Sequence, residues 1–237
     1  MNQPFPTTRW TLIQKAAGAS SDRRSEALEE LCKAYWPPVY AFIRSRGKSS
    51  SEAEDLTQGF FADFLSRNEF SRADGEKGRL RTYLLKAVSN FMAKAYRDQN
   101  RQKRGGDWAI VSLDFSGEGG ESKILEPEDH LTAETIFERQ WALTVLERVL
   151  ETLRKRYQKK GKADLFDAIQ FVVSPGAEGE TYAQIANRLG LTETAVKVAA
   201  FRLRERYALQ LRESIADTVL DDSDIESEIQ RLMTAFH

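Results

Sequence analysis

Tyr83, Lys86, Asn90, Lys94 and Arg97 follow one another at spacings of three and four. On a helix they form one stripe. A ring among cations suits single-stranded DNA, because bases stack on the ring while the cations track the phosphates. The alternative is a half-buried tyrosine beside solvated lysines. A second basic set, Lys197, Arg202, Arg204 and Arg206, lies in the segment TYAQIANRLGLTETAVKVAAFRLRER at 181–206. A helix with that charge fits the major groove of duplex DNA. Catalytic chemistry has no such foothold. There is no nucleophile–base pair and no Gly-rich phosphate loop, so no enzymatic activity is expected. Cys32, His130 and His237 are the only cysteine and histidines. They are not spaced for zinc, and no metal or cofactor is expected.

The segment 181–206 reads as a helix, a turn and a second helix. Ala186, Gly190 and Val196 fall at positions 5, 9 and 15 of that motif. A small residue at Ala186 lets two helices cross closely. Gly190 can take the left-handed conformation that the turn needs. Ile185, Leu189, Leu191, Val196 and Ala199 supply the apolar contacts. Thr181 with Gln184 forms a capping box, and Thr192 caps the second helix. An ordinary helical hairpin is the competing reading.

The stripe at 83–97 lies on a helix spanning about 79–101, whose other face carries Leu80, Leu84, Val88, Phe91 and Ala95. Before it, residues 24–47 carry Ala27, Leu28, Leu31, Tyr35, Val39, Phe42 and Ile43 at helical spacing. Pro37-Pro38 should break or kink this stretch, and Gly47 should end it. Ser51 with Glu54 reads as a capping box for a helix to about Arg67, with Ala53, Leu56, Phe60 and Phe64 on one face. Cys32 sits among Leu28, Leu31 and Tyr35, as a core residue.

The chain has 237 residues, 41% of them hydrophobic, enough for real cores. Its net charge of −1 confines any DNA contact to local patches. Charge is indeed segregated: after Arg101, Lys103 and Arg104 the composition turns acidic, with Asp107, Asp114, Glu118, Glu121, Glu126, Glu128 and Asp129. With Gly105, Gly106, Gly117, Gly119 and Gly120, this reads as a flexible linker. AIVSL at 109–113 is the one strand-like stretch. The expected organisation is an extension at 1–23, a helical domain at 24–104, the linker at 105–131, a second helical domain at 132–216 and a tail at 217–237. In the tail, Ser223 with Glu226 reads as a further capping box. Ile225, Ile229, Leu232 and Phe236 make a narrow stripe that should dock on the protein or on a partner. No apolar run has the length of a signal peptide or a membrane span, which implies a soluble, cytoplasmic protein with no membrane insertion.

SEAEDLTQGFFADFL followed by LRTYLLKAVSNF resembles region 2 of a bacterial RNA polymerase sigma factor. The 181–206 segment, after an acidic linker, resembles region 4. The short two-domain layout is similar to the extracytoplasmic-function (ECF) group. The resemblance implies an all-α, two-domain factor that binds core RNA polymerase through its clamp helices and flap. Asp55, Leu56 and Gln58 would meet the clamp helices. The loop near 68–79 with Arg79, Tyr83, Lys86, Asn90 and Arg97 would hold the single-stranded −10 element. Thr194, Lys197, Val198, Phe201 and Arg202 would meet the −35 duplex. Promoter DNA and an anti-sigma or other regulatory protein are the further partners it implies. Three departures stand out: Gly59 where an acidic residue is usual, Lys94 for an aspartate and Tyr83 for a tryptophan. Val198, Ala199 and Ala200 replace more polar residues, so −35 readout should lean on backbone contacts, thymine methyls and DNA shape. The alternative function is a helix-turn-helix regulator that does not engage polymerase.

Overall fold

The structure, a computed structural model, describes residues 21–66, 80–102, 124, 130–174, 178–216, 218, 219 and 221–236. Eight α-helices are described: α1 (Ser21–Arg44), α2 (Ser50–Ser66), α3 (Leu80–Gln102), α4 (Ala133–Gln158), α5 (Ala163–Ile169), α6 (Tyr182–Leu189), α7 (Glu193–Ala216) and α8 (Ile225–Thr234). Single 3-10 turns stand at Gln170–Val173 and Asp222–Asp224. No strand occurs among the described residues. The residues at 1–20, the loop 68–79, the AIVSL stretch and most of the acidic linker lie outside the described residues.

The packing divides into two units: residues up to Thr144 together with Ile215 onward, and Val145–Ser214. Both divisions fall inside helices, α4 and α7. Residues 133–144 and the described part of the tail therefore pack in the first unit.

The core of the first unit follows the apolar periodicity. Leu31, Tyr35, Val39, Phe42 and Ile43 of α1 are buried with Ala53, Phe60 and Phe64 of α2 and Leu80, Leu84 and Val88 of α3. The Phe60 ring lies 5.1 Å from Phe61, 5.4 Å from Phe64 and 5.7 Å from Phe91. Rings of this size dominate a small core, and truncating one to alanine costs about 3–5 kcal/mol. Leu56 is only half-buried, and Thr57 takes its place in the core. The Thr57 hydroxyl stays satisfied by donating to the Ala53 carbonyl at 2.6 Å. Cys32 is buried, and burial first, then the nearby Glu29, pushes its thiol up to about 12, as for an inert core residue.

Two local expectations meet the structure differently. Of the break or kink expected at Pro37-Pro38, the break does not occur: α1 runs through both prolines. Both prolines are buried, as are Val39, Tyr40, Ala41, Phe42 and Ile43 after them. Packing there outweighs the lost backbone hydrogen bonds. The box that opens α2 is Ser49 with Glu52, not Ser51 with Glu54. The Ser49 amide donates to Glu52 at 3.0 Å, and the Glu52 amide donates to the Ser49 hydroxyl at 3.3 Å. The serine run offers two registers. The turn after α1, closed at Gly47 with φ +78°, delivers the chain into the earlier one.

The second unit buries Leu146, Val149, Leu153 and Tyr157 of α4 with Phe166 and Ile169 of α5, Ile185 and Ala186 of α6, and Val196, Ala200 and Leu203 of α7. Arg154 ties α4 to α5, pairing with Asp167 at 3.2 Å and lying over the Phe166 ring. The start of α6 is the expected capping box, with Thr181 and Gln184 bonded in both directions. Gly190 holds φ +65°, and the Leu191 amide reaches back to the Ala186 carbonyl at 2.9 Å. Thr192 accepts from the Ala195 amide at 3.2 Å. The apolar set differs in part. Leu191 is exposed and Ala199 half-buried, because α7 buries the row Val196, Ala200 and Leu203 instead.

A Cβ at position 190 would meet nothing within 4 Å. Gly190→Ala should therefore cost only the left-handed backbone strain, about 1–2 kcal/mol by chemical denaturation. Glu52 is held below the usual glutamate range by the Ser49 amide, then by the Ser49 hydroxyl and Lys48. A depressed carboxyl contributes stability above its unfolded value and loses it as pH falls through its folded one. Glu52→Gln should thus be less stable than wild type at pH 7, with the gap closing in acid.

Candidate nucleic-acid interface

Helix α3 carries its core row and its polar stripe about a third of a turn apart. Lys86, Asn90, Lys94 and Arg97 are exposed. Lys86, Lys94 and Arg97 have no ion pair among the described residues. Tyr83 is half-buried, its ring 5.9 Å from Phe64 and tilted by 55°. The two sequence readings of Tyr83 therefore meet: the ring packs on the core at one side, and the cations beside it face water. Arg79 lies outside the described residues.

On α2, Asp55 is exposed, while Leu56 and Gln58 are half-buried. Leu56 lines a groove with Phe42, Arg46, Lys48, Met92 and Tyr96. Tyr96 is 68% exposed. A Cβ at Gly59 would meet the Phe91 ring at 3.6 Å, an ordinary contact, so packing at that atom does not demand the glycine.

On α7, Thr194, Lys197, Val198, Phe201 and Arg202 are all exposed and share one side of the helix. The four basic residues are used differently. Lys197 pairs with Glu193 one turn earlier, at 2.7 Å. Arg204 reaches the Val172 carbonyl at 3.5 Å. Arg206 lies over the Tyr157 ring and donates to its hydroxyl at 3.4 Å. Arg202 alone of the four has no hydrogen bond or ion pair among the described residues. Beside it Val198 and Phe201 present uncovered apolar surface, 41% and 58% exposed. Ala200 does not belong to this face: it is buried against the hairpin. The face is thus apolar at Val198 and Phe201, with one free guanidinium.

The periodicity reading missed the most heavily engaged charge. Arg81, on α3, is only 3% exposed. Its guanidinium donates to both Glu228 of α8, through Nη2 at 3.2 Å and through Nε, and Glu138 of α4. Trp141 of α4 lies under it at 5.0 Å. Burial opposes the charge, but the Glu228 hydrogen bonds and the two carboxylates outweigh it and hold Arg81 above its ordinary range. A signal was present. Arg81 stands at the spacing of the apolar row Leu84 and Val88, and Glu228 at that of Ile225 and Leu232. Opposite charges at core positions of two amphipathic helices predict that they pair.

Among the described residues no three His, Cys, Asp or Glu side chains gather as a metal site. None of the described helices is long and apolar enough to cross a membrane. Lys86→Ala should weaken single-stranded DNA binding and lower its salt slope by roughly 0.7, with helix content unchanged by circular dichroism. No curated protein and no solved structure matches the chain. Residues 31–102 match the family model for Sigma-70 region 2. That segment spans the aromatic core, the groove beside Leu56 and the exposed stripe of α3.

Proposed function

We propose that this protein is an ECF-type sigma factor that binds core RNA polymerase and reads a promoter in two blocks. The region 2 match over residues 31–102 carries the reading. Asp55, Leu56 and Gln58 meet the polymerase clamp helices, with the groove beside Leu56 as their apolar flank. Tyr83, Lys86, Asn90 and Arg97 hold the melted −10 strand: the ring stacks a base, and the cations follow the phosphates. Arg79, the residue before Leu80 in the sequence, completes this set. The α6–α7 hairpin works as a DNA-binding helix-turn-helix on the −35 duplex. Thr194 and Lys197 contact the backbone, Arg202 reaches a base edge or phosphate, and Val198 with Phe201 meets thymine methyl groups. The acidic linker at 105–131 runs along polymerase surfaces that otherwise carry nucleic acid. The protein acts in the cytoplasm, without catalysis of its own, and an anti-sigma or other regulatory protein controls it.

The test is transcription by core polymerase with added protein on a promoter selected for it. Wild type should retain core enzyme and start transcription. Arg202→Ala should lower use of promoters that depend on the −35 block, by about 1–3 kcal/mol of discrimination, and leave core binding intact. Failure of the wild-type protein to bind core contradicts the reading and leaves a DNA-binding regulator.

A further inference from the structure

The start of α3 carries Tyr83 and Lys86, yet little in its own sequence fixes it. Its first turn has no acidic residue to meet the helix dipole. Leu80, Leu84 and Val88 are buried along one side, and the Tyr83 ring leans on Phe64 along another. Apolar contacts of that kind resist separation better than roll about the helix axis, because they carry no direction. A ring at the rim of a helix sits about 5–6 Å from its axis, so a roll of about 10° moves it by about 1 Å.

Arg81 supplies the missing direction. It stands two positions before Tyr83, about 200° round the helix, and so on the far side from the ring. There Glu228 of α8 accepts from its Nη2 at 3.2 Å and from its Nε, and Glu138 of α4 accepts from its Nη1. The Trp141 ring lies under the guanidinium at 5.0 Å. A planar fork held by two carboxylates fixes an orientation as well as a distance. Glu138, Trp141 and Glu228 all lie outside the stretch 31–102 that matches the family model. All three belong with α3 to the first unit.

Helix α8 has ten residues, short for a helix that must stand alone in water. Asp224, not Ser223, is its N-cap and makes no side-chain cap bond, so the expected Ser223–Glu226 box is absent. Ile225, Glu228 and Leu232 are buried on one face, with Ile229 half-buried and Phe236 exposed. Arg139 of α4 secures the far end, donating to the Ala235 carbonyl at 3.0 Å. A buried ion pair returns little net stability, because desolvation offsets most of the attraction. What Glu228 contributes is the placement of Arg81.

We propose that α8 is a positioning element of the single-strand interface: Glu228, with Glu138, holds Arg81 and so keeps Tyr83 turned toward an incoming DNA strand. The proposal rests on the single-strand reading of the α3 stripe. Glu228 and Arg81 touch no DNA in this scheme; they act through Tyr83.

The test measures binding of the full-length protein to a labelled, mixed-sequence, single-stranded oligonucleotide, because stacking on a ring tolerates any base. Tyr83→Ala should weaken binding by about fivefold or more. Glu228→Gln removes the charge and keeps an acceptor for Arg81. It should weaken binding by about threefold or more, with helix content and salt slope unchanged. In a Tyr83→Ala background the same change should cost less than about twofold, whereas its effect should add in full to that of Arg97→Ala. Leu232→Ala loosens α8 and leaves the ion pair in place. It should show the same dependence on Tyr83, and it decides the matter if Glu228→Gln does not fold. Unchanged affinity in both tail variants, as for a helix that only stabilises, overturns the proposal. So does a loss that persists without Tyr83. A wild-type protein that binds no single-stranded DNA overturns the reading of the stripe, and hydrogen exchange then tests the anchor alone. In Glu228→Gln the amides of Leu84, Leu85 and Lys86 should exchange roughly fivefold faster or more, while those of Met92 to Tyr96 keep their rates. Unchanged rates at 84–86 overturn the anchor.

Discussion

The first unit is organised around a buried positive charge. Arg81 sits among the core residues of α3, where water cannot solvate it, so two carboxylates from distant parts of the chain must. Glu138 is 57 residues away and Glu228 is 147 residues away. Removing one partner of such a pair strands the other and costs about 3–5 kcal/mol, whereas an apolar replacement of the whole set is often nearly neutral. The ion pair therefore contributes position more than stability. It states which helix faces meet, and it draws α4 and α8 to the side of α3 away from the polar stripe.

That division of labour lets one helix do two jobs. The row Leu80, Leu84 and Val88, with Arg81 beside it, faces inward. Lys86, Asn90, Lys94 and Arg97 face water. Tyr83 stands at the boundary, braced by Phe64. A ring held from one side has less conformational freedom left to lose in any further stacking. The same economy appears on α7. Arg204 and Arg206 serve the fold, and Lys197 is paired with Glu193, which leaves Arg202 as the free guanidinium of the face among the described residues.

Much of this was legible in the residues, because local rules acted alone. The Thr181–Gln184 box, the left-handed Gly190 and the Thr192 cap depend on neighbours within a few positions. So does the apolar row of α3. Errors arose where distant packing decided. Pro37-Pro38 reads as a break or a kink, and the buried surroundings keep α1 continuous. Ser49 and Ser51 are equivalent as capping signals, and only the turn at Gly47 selects between them. Ala200 looks like part of a groove-facing surface, but the rotation of α7 against α6 buries it. Arg81 and Glu228 each fall at a core position of their own helix, a signal that appears only when the two patterns are set side by side. Their pairing is a property of three helices together, and no single periodic pattern contains it.

A chain that joins a region 2-like module for polymerase and single-stranded DNA to a separate duplex reader should select DNA in two blocks. Selection of random DNA by core polymerase reconstituted with the full-length protein tests it most directly. Two enriched blocks at one fixed spacing are expected, the downstream one at the melted segment and the upstream one lost with Arg202→Ala. Enrichment of a single block that does not require core polymerase would contradict it.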